Sequence, residues 1–307
     1  MDNAFARLLG KRKLEIMVLS NPIGIRLVAL CVLFLASVPL HAASERERIL
    51  VKSDGLEIEA FVVGNGNETL IMAAGNGRPA SQLDELAAGL AASGVRVVTY
   101  NYRTLGASTG PIDGLTLHDW ANDLWRVADA VGAQNVYLAG KTYGNRVVRA
   151  ASHDRPDRVL GVILIGAGGE VMPSEETADL YRRYMTPGIS KDEWVELQGE
   201  LMYAPGNEHL AALDAAEGEF PALASAQAKA SDATPKTEWA AGGTAPMLVM
   251  TCLPDRVAVP ESALAIAKSK PNAWLVGLPG CGHNMLRERG DDIVRLISEY
   301  IRRAPKP

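Results

Sequence analysis

Gly140-Lys141-Thr142-Tyr143-Gly144 follows the apolar run Val136-Tyr137-Leu138-Ala139 and leads directly into Asn145-Arg146-Val147-Val148. A short strand, a glycine-flanked hydroxyl residue and an immediate helix make a sharp turn that presents the hydroxyl as a nucleophile. Such a hydroxyl is weak by itself and needs a histidine base and a carboxylate to orient that base. Of the five histidines, His283 alone sits in a loop just after a β-like run, in Pro279-Gly280-Cys281-Gly282-His283-Asn284. Its two glycines allow the backbone to carry an imidazole to the end of a sheet; the plain alternative is a solvated loop histidine. Asp255, in Thr251-Cys252-Leu253-Pro254-Asp255-Arg256, follows the preceding strand and is the expected acid. It could instead cap a turn or pair with Arg256, in which case Glu170 is the reserve acid. An oxyanion would need backbone donors. The N–H groups of Tyr143 and of Asn76, in Gly75-Asn76-Gly77, are the candidates, although the latter could be a simple tight turn.

The surrounding elements are those that would position these groups. Residues 49–63 read as two short strands around Asp54-Gly55, a hairpin turn signal. Apolar runs at 69–74, 95–100, 136–139, 159–165, 247–251 and 273–278 read as strands. Between the first four of these lie amphipathic helices, one with Leu83, Leu86 and Leu90, another with Leu117, Trp120, Leu124 and Val127. Alternating buried strands and helices predict a mostly parallel central sheet with helices on both faces, an α/β fold. Residues 170–243 show helices and loops without a clear strand. Tyr181, Tyr184, Trp194 and Met202 give them an apolar, aromatic face. We expect an inserted helical cap there, or else ordinary surface helices.

The N-terminus differs from the rest. Lys11, Arg12, Lys13 and Arg26 precede an apolar run over residues 27–40, and Ala42, Ala43 and Ser44 follow. This is the pattern of a secretory signal peptide. The run falls short of the ~20 residues of a spanning helix. Residues 1–42 are therefore expected to be a signal peptide or, alternatively, an N-terminal anchor, and the protein is expected to be exported, periplasmic or secreted. The formal charge of −5 and the lack of a basic run beyond this segment argue against nucleic acid as a partner. Beyond Cys31 the chain has only Cys252 and Cys281. They are too few for a zinc site and lie near the ends of two strands expected to be neighbours. The expectation is a disulfide tying the acid loop to the histidine loop, or else two buried free thiols.

Together these motifs resemble the α/β-hydrolase superfamily over about residues 50–303. Ala74-Gly75-Asn76 stands where its members often have His-Gly-x, and Gly140-x-Thr142-x-Gly144, Asp255 and His283 match the nucleophile, acid and histidine in order. Two departures stand out: Ala74 replaces a frequent histidine, and threonine replaces serine at the nucleophile. That position needs positive φ, an uncommon conformation for a β-branched residue. Gly140-Lys141-Thr142 is not a phosphate-binding loop, because position 135 is asparagine and the strand runs straight into Gly140. The resemblance implies a core of residues 43–169 and 244–307 with a cap of residues 170–243. It implies hydrolysis of an ester, thioester or related acyl bond by Thr142, His283 and Asp255, with an oxyanion hole at Asn76 and Tyr143. No cofactor or metal is expected. The expected partner is a small-molecule substrate with an apolar group, and membrane contact is expected only through an uncleaved N-terminal segment. The alternative is a catalytically inactive ligand-binding protein of the same fold.

Overall fold

The computed structural model describes residues 46–214 and 220–304. The segment read as an export signal lies outside the described residues. Strands β1 (Glu47–Ser53) and β2 (Leu56–Val63) form the expected antiparallel hairpin. Its turn residues Asp54 and Gly55 have φ of 51° and 75°, the left-handed pair that lets a two-residue turn match strand twist. Strands β3 (Thr69–Ala73), β4 (Arg96–Tyr100), β5 (Val136–Lys141), β6 (Val159–Ile165), β7 (Met247–Cys252) and β8 (Ala273–Leu278) complete one eight-stranded sheet in the order β1-β2-β4-β3-β5-β6-β7-β8. β2 pairs antiparallel with β4, and all pairs from β4 to β8 are parallel. β3, β5 and β7 are buried along their whole length, which is why they read as unbroken apolar runs. β8 closes the edge and buries only Leu278 fully.

The helices joining these strands are α1 (Asp84–Ala92), α2 (Leu117–Ala130), α3 (Gly144–Asp154), α8 (Pro260–Lys268) and α9 (Met285–Arg303). A 3-10 turn, Ala80–Leu83, precedes α1, so Leu83 lies in that turn and not in the helix proper. α2 starts at a capping box in which Thr116 and Asp119 satisfy each other's backbone N–H. α2 packs on α3, and α1 packs on α9. Right-handed crossovers put the helix of the β3-to-β4 connection on one face and those of β4-to-β5 and β5-to-β6 on the other. The chain therefore changes direction between β3 and β5. The crevice beyond their carboxyl ends is where open α/β sheets bind ligands.

Between β6 and β7 come α4 (Glu175–Tyr184), α5 (Lys191–Met202), α6 (Ala211–Asp214) and α7 (Pro221–Ala233). α4 and α5 build a small core of their own from Leu180, Tyr184, Leu197 and Leu201. Leu223 and Ala230 of α7, with Trp239, instead join the main core around the sheet. The region that reads as uniform in sequence thus has two parts, one bound to the sheet layer and one standing apart from it.

Candidate active site

The turn after β5 depends on close backbone approach. A Cβ on Gly140 would lie 2.3 Å from the Gly144 carbonyl, and one on Gly144 would lie 2.2 Å from Ala73 O. Only glycine lets α3 start this near to β3 and β5. Thr142 at the tip has φ of 50°. Its N–H donates to Ile165 O at 3.0 Å, and its carbonyl accepts from the Asn145 N–H at 3.1 Å. The buried Asn145 amide donates to Ile165 O at 3.2 Å and accepts from the Ile165 N–H at 3.1 Å. These bonds to the end of β6 hold a β-branched residue in a conformation that costs ~1–3 kcal/mol.

His283 reaches the turn from the loop after β8. Gly280 supplies a φ of 66°. Gly282 passes so close to the end of α5 that a Cβ would meet the Tyr203 carbonyl carbon at 2.6 Å. The His283 Nε2 lies 3.2 Å from Thr142 Oγ1, and its Nδ1 lies 2.9 Å from Asp255 Oδ2. Asp255 Oδ1 accepts from the N–H groups of Val257 and Ala258 at 2.9 and 2.8 Å. An ionised carboxylate only accepts, so Nδ1 carries the proton and Nε2 is left to accept from the Thr142 hydroxyl. Asp255 and His283 are both buried. Arg256, which sequence proximity offers to Asp255, turns instead to Glu176 and Glu200 at 2.8 and 3.5 Å. Glu170, the reserve acid, lies 3.8 Å from the Arg149 guanidinium and 3.7 Å from the Lys236 ammonium. Burial pushes Arg149 down to about 10, with Glu170 opposing that shift.

Cys252, at the end of β7, and Cys281 are joined in a disulfide with a Cα separation of 5.4 Å. It links the strand end three residues before Asp255 to the loop two residues before His283. The loop after β3 is fixed in another way. The Gly75 N–H donates to Gln82 Oε1 at 2.8 Å, the Gly77 N–H donates to Gln227 Oε1 of α7 at 2.7 Å, and the Tyr102 hydroxyl donates to Ala74 O at 2.9 Å. Asn76 lies between the two pinned glycines. Tyr143 is the N-cap residue just before α3, and burial holds its phenol well above the usual range, so it stays protonated.

A pocket opens over Thr142, His283 and Asn76, with Tyr181, Tyr184 and Met202 of α4 and α5 along its apolar side. Its polar side includes Arg78, Lys141, Gln198 and Asn284. Gln198 gives its amide N–H to Asp214 at 2.7 Å, which leaves its buried Oε1 without a donor among the described residues. Among those residues no three His, Cys, Asp or Glu side chains gather into a group able to hold a metal ion.

The alpha/beta hydrolase family profile matches residues 70–296. The chain belongs to the alpha/beta hydrolase family. This alpha/beta hydrolase is 26% identical over 283 residues to a 2-hydroxy-6-oxononadienedioate/2-hydroxy-6-oxononatrienedioate hydrolase of Dechloromonas aromatica, covering 85% of this chain and 97% of the relative. It is 24% identical to a putative carbamate hydrolase, RutD, of Variovorax paradoxus, over 78% of this chain and 94% of that one. Its fold matches the crystal structure of the enol-lactonase from Burkholderia xenovorans LB400 with a TM-score of 0.69 at 19% identity, over 83% of this chain and 100% of the other.

Sequence reasoning named Thr142, Asp255, His283, Asn76 and Tyr143 but passed over the residues that hold them. Asn284 follows His283 directly and Asn145 lies two residues after Tyr143, so both could have been sought as neighbours. Gln82 and Gln227 carry no local signal, since Gln227 meets Gly77 across 150 residues of chain.

Proposed function

We propose that this hydrolase cleaves an ester, thioester or related acyl bond with Thr142 as nucleophile. The single observation that carries the reading is the continuous contact from Thr142 Oγ1 to His283 Nε2 at 3.2 Å and from His283 Nδ1 to Asp255 at 2.9 Å. His283 takes the hydroxyl proton as Oγ1 attacks the acyl carbon. The developing oxyanion is met by the N–H groups of Asn76 and Tyr143. His283 then returns its proton to the leaving group, and a water repeats the sequence to free the acid. Asp255 orients the imidazole and stabilises its charged form. Residues 170–243 serve as the cap that shields the reaction from bulk water. Both relatives described above are named as hydrolases, which supports the reaction class. We place the protein outside the cytoplasm; the N-terminal sequence pattern and a buried disulfide favour that compartment.

The test is a panel of short- and long-chain chromogenic esters with wild type, Thr142→Ala, Thr142→Ser and His283→Ala. Turnover should fall by at least ~10³-fold in both alanine variants. It should rise in Thr142→Ser, which keeps the hydroxyl and removes the methyl that crowds the line of attack. Full activity in Thr142→Ala would sink the reading. If His283→Ala altered only ligand affinity, the chain would be a binding protein on this fold.

A further inference from the structure

We infer that Glu288 is a positioning residue for His283, its carboxylate clamping the histidine loop to the end of α5; the inference rests on the reaction proposed above. Glu288 sits in the first turn of α9, five residues beyond His283. Helical side chains lean towards the helix N-terminus, so this one reaches back over the loop that leads into α9. Its Oε2 accepts from the Gly282 N–H at 2.7 Å. Its Oε1 accepts from the Ala204 N–H at 2.9 Å and from the Asn207 amide at 2.8 Å. One carboxylate thus joins the residue before His283 to the segment that follows α5. The residue after His283 is tied to the end of the same helix, since the Asn284 N–H donates to Met202 O at 2.7 Å. His283 is held from both sides against residues 202–204.

The contact leaves little room for another arrangement. A Cβ on Gly282 would lie 2.8 Å from Met202 O and 2.9 Å from Ala204 N, so the two backbones touch. Gly282 and Ala204 are both buried. Buried N–H groups need acceptors, and the Glu288 carboxylate supplies one to each. A carboxylate accepts in several directions at once, and its charge shortens and strengthens such bonds. The positive end of the α9 dipole also favours a negative group in its first turn. Without Glu288 the two segments must shift to find other acceptors, and His283 moves with Gly282.

The clamp aligns the pocket wall with the base. Gln198 and Met202 of α5 line the pocket that opens over Thr142, whereas Glu288 lies outside its described lining. Glu288 therefore acts through the backbone of the histidine loop. Thr142 is held at the end of β6 with the help of Asn145, and Asp255 is held by the N–H groups of Val257 and Ala258. Glu288 does the same for the histidine between them. A loop shift lengthens the 3.2 Å contact from His283 Nε2 to Thr142 Oγ1. A misplacement of ~1 Å at such a contact can cost ~100-fold in rate.

The test compares wild type with Glu288→Ala and Glu288→Gln on chromogenic esters, at a temperature well below the melt of each protein. In Glu288→Ala kcat should fall by ~10–100-fold with KM little changed. Glu288→Gln keeps the length but must turn its NH2 towards one of the two backbone N–H groups, and its kcat should fall by less. A merely structural role would lower the melting temperature and leave kcat of the folded protein alone. The second readout is the downfield NMR resonance of the His283 Nδ1 proton, which bonds to Asp255 and is assigned by its loss in His283→Ala. It should broaden or move upfield in Glu288→Ala. It should keep its place in His118→Gln, whose side chain bonds to Asp154 and Glu238. Wild-type kcat in folded Glu288→Ala overturns the inference, as does an unmoved resonance or a loss confined to KM. Should that variant fail to fold, the same results in Glu288→Gln overturn it equally. If wild type turns over no ester, the proposed reaction has failed and the resonance alone decides the clamp. Its absence from wild type would then overturn the clamp too, because no positioned histidine would exist to be held.

Discussion

Replacing Cys252 and Cys281 together by alanine is a sharp test of how this site is held. The two cysteines are separated by 29 residues, are fully buried, and join the end of β7 to the loop that carries His283. Chain-entropy reasoning for a loop of that length gives about 3.5 kcal/mol of stabilisation, lost when the cross-link is removed. For a domain of this size each kcal/mol moves the melting temperature by about 2–4 °C, so the double variant should melt about 7–14 °C lower. Scanning calorimetry of wild type, Cys252→Ala/Cys281→Ala, and wild type unfolded and refolded under reductant measures this directly. The last two should agree. Peptide mapping without reduction should recover a linked pair containing both cysteines. The variant should also lose kcat, because Asp255 and His283 sit three and two residues beyond the bridge and their 2.9 Å contact loses its tether. A melting temperature within about 2 °C of wild type would refute the reasoning, since it would put the loop entropy well below the value expected for this length. Two reactive thiols from this pair in unreduced, denatured protein would refute the cross-link itself.

Gly144→Ala should damage both fold and site, because its Cβ would lie 2.2 Å from Ala73 O and 2.8 Å from Ala74 O, both backbone atoms. Expected losses are about 1–3 kcal/mol in denaturant unfolding and about 100-fold in kcat/KM as α3 and Thr142 shift together; wild-type behaviour in both would contradict the close approach described. His118 links α2 to Asp154 at 2.8 Å and to Glu238 at 3.2 Å. Burial lowers its pKa, but the hydrogen bonds and charges of the two carboxylates outweigh this and hold it above the ordinary 6.5. The stabilisation is therefore complete below 6.5 and is lost as pH rises through the higher folded value. His118→Gln should lower the unfolding midpoint more at about pH 5.5 than at about pH 9, and an equal effect at both would show that the pairing does not titrate.

Much of the fold was legible because its signals are local. The unbroken apolar runs of β3, β5 and β7 follow from burial on both faces of a parallel sheet. The Asp54-Gly55 turn lies within a few residues of chain. The glycines of the β5–α3 turn also announce themselves, since a Cβ at Gly140 or Gly144 has no room. What the sequence left as alternatives was settled by packing. Asp255 could pair with Arg256 or with His283, and the choice depends on where β7 and β8 lie in the sheet. Helix α7 joins the main core while α4 and α5 do not.

The sequence by itself determined which residues could carry chemistry: one hydroxyl on a glycine-flanked turn, one histidine after the last strand, one acid before it and two cysteines beside them. Only the tertiary structure decided that Thr142, His283 and Asp255 come into line, that Gln82 and Gln227 pin the loop around Asn76, and that Lys141 donates to Asn284. The reason is physical. Side-chain types and short-range periodicity are set by burial and backbone preference within a few residues. Contacts across 141 or 150 residues depend instead on strand order and register, which place β3 between β4 and β5 and align Ala73 with Gly140.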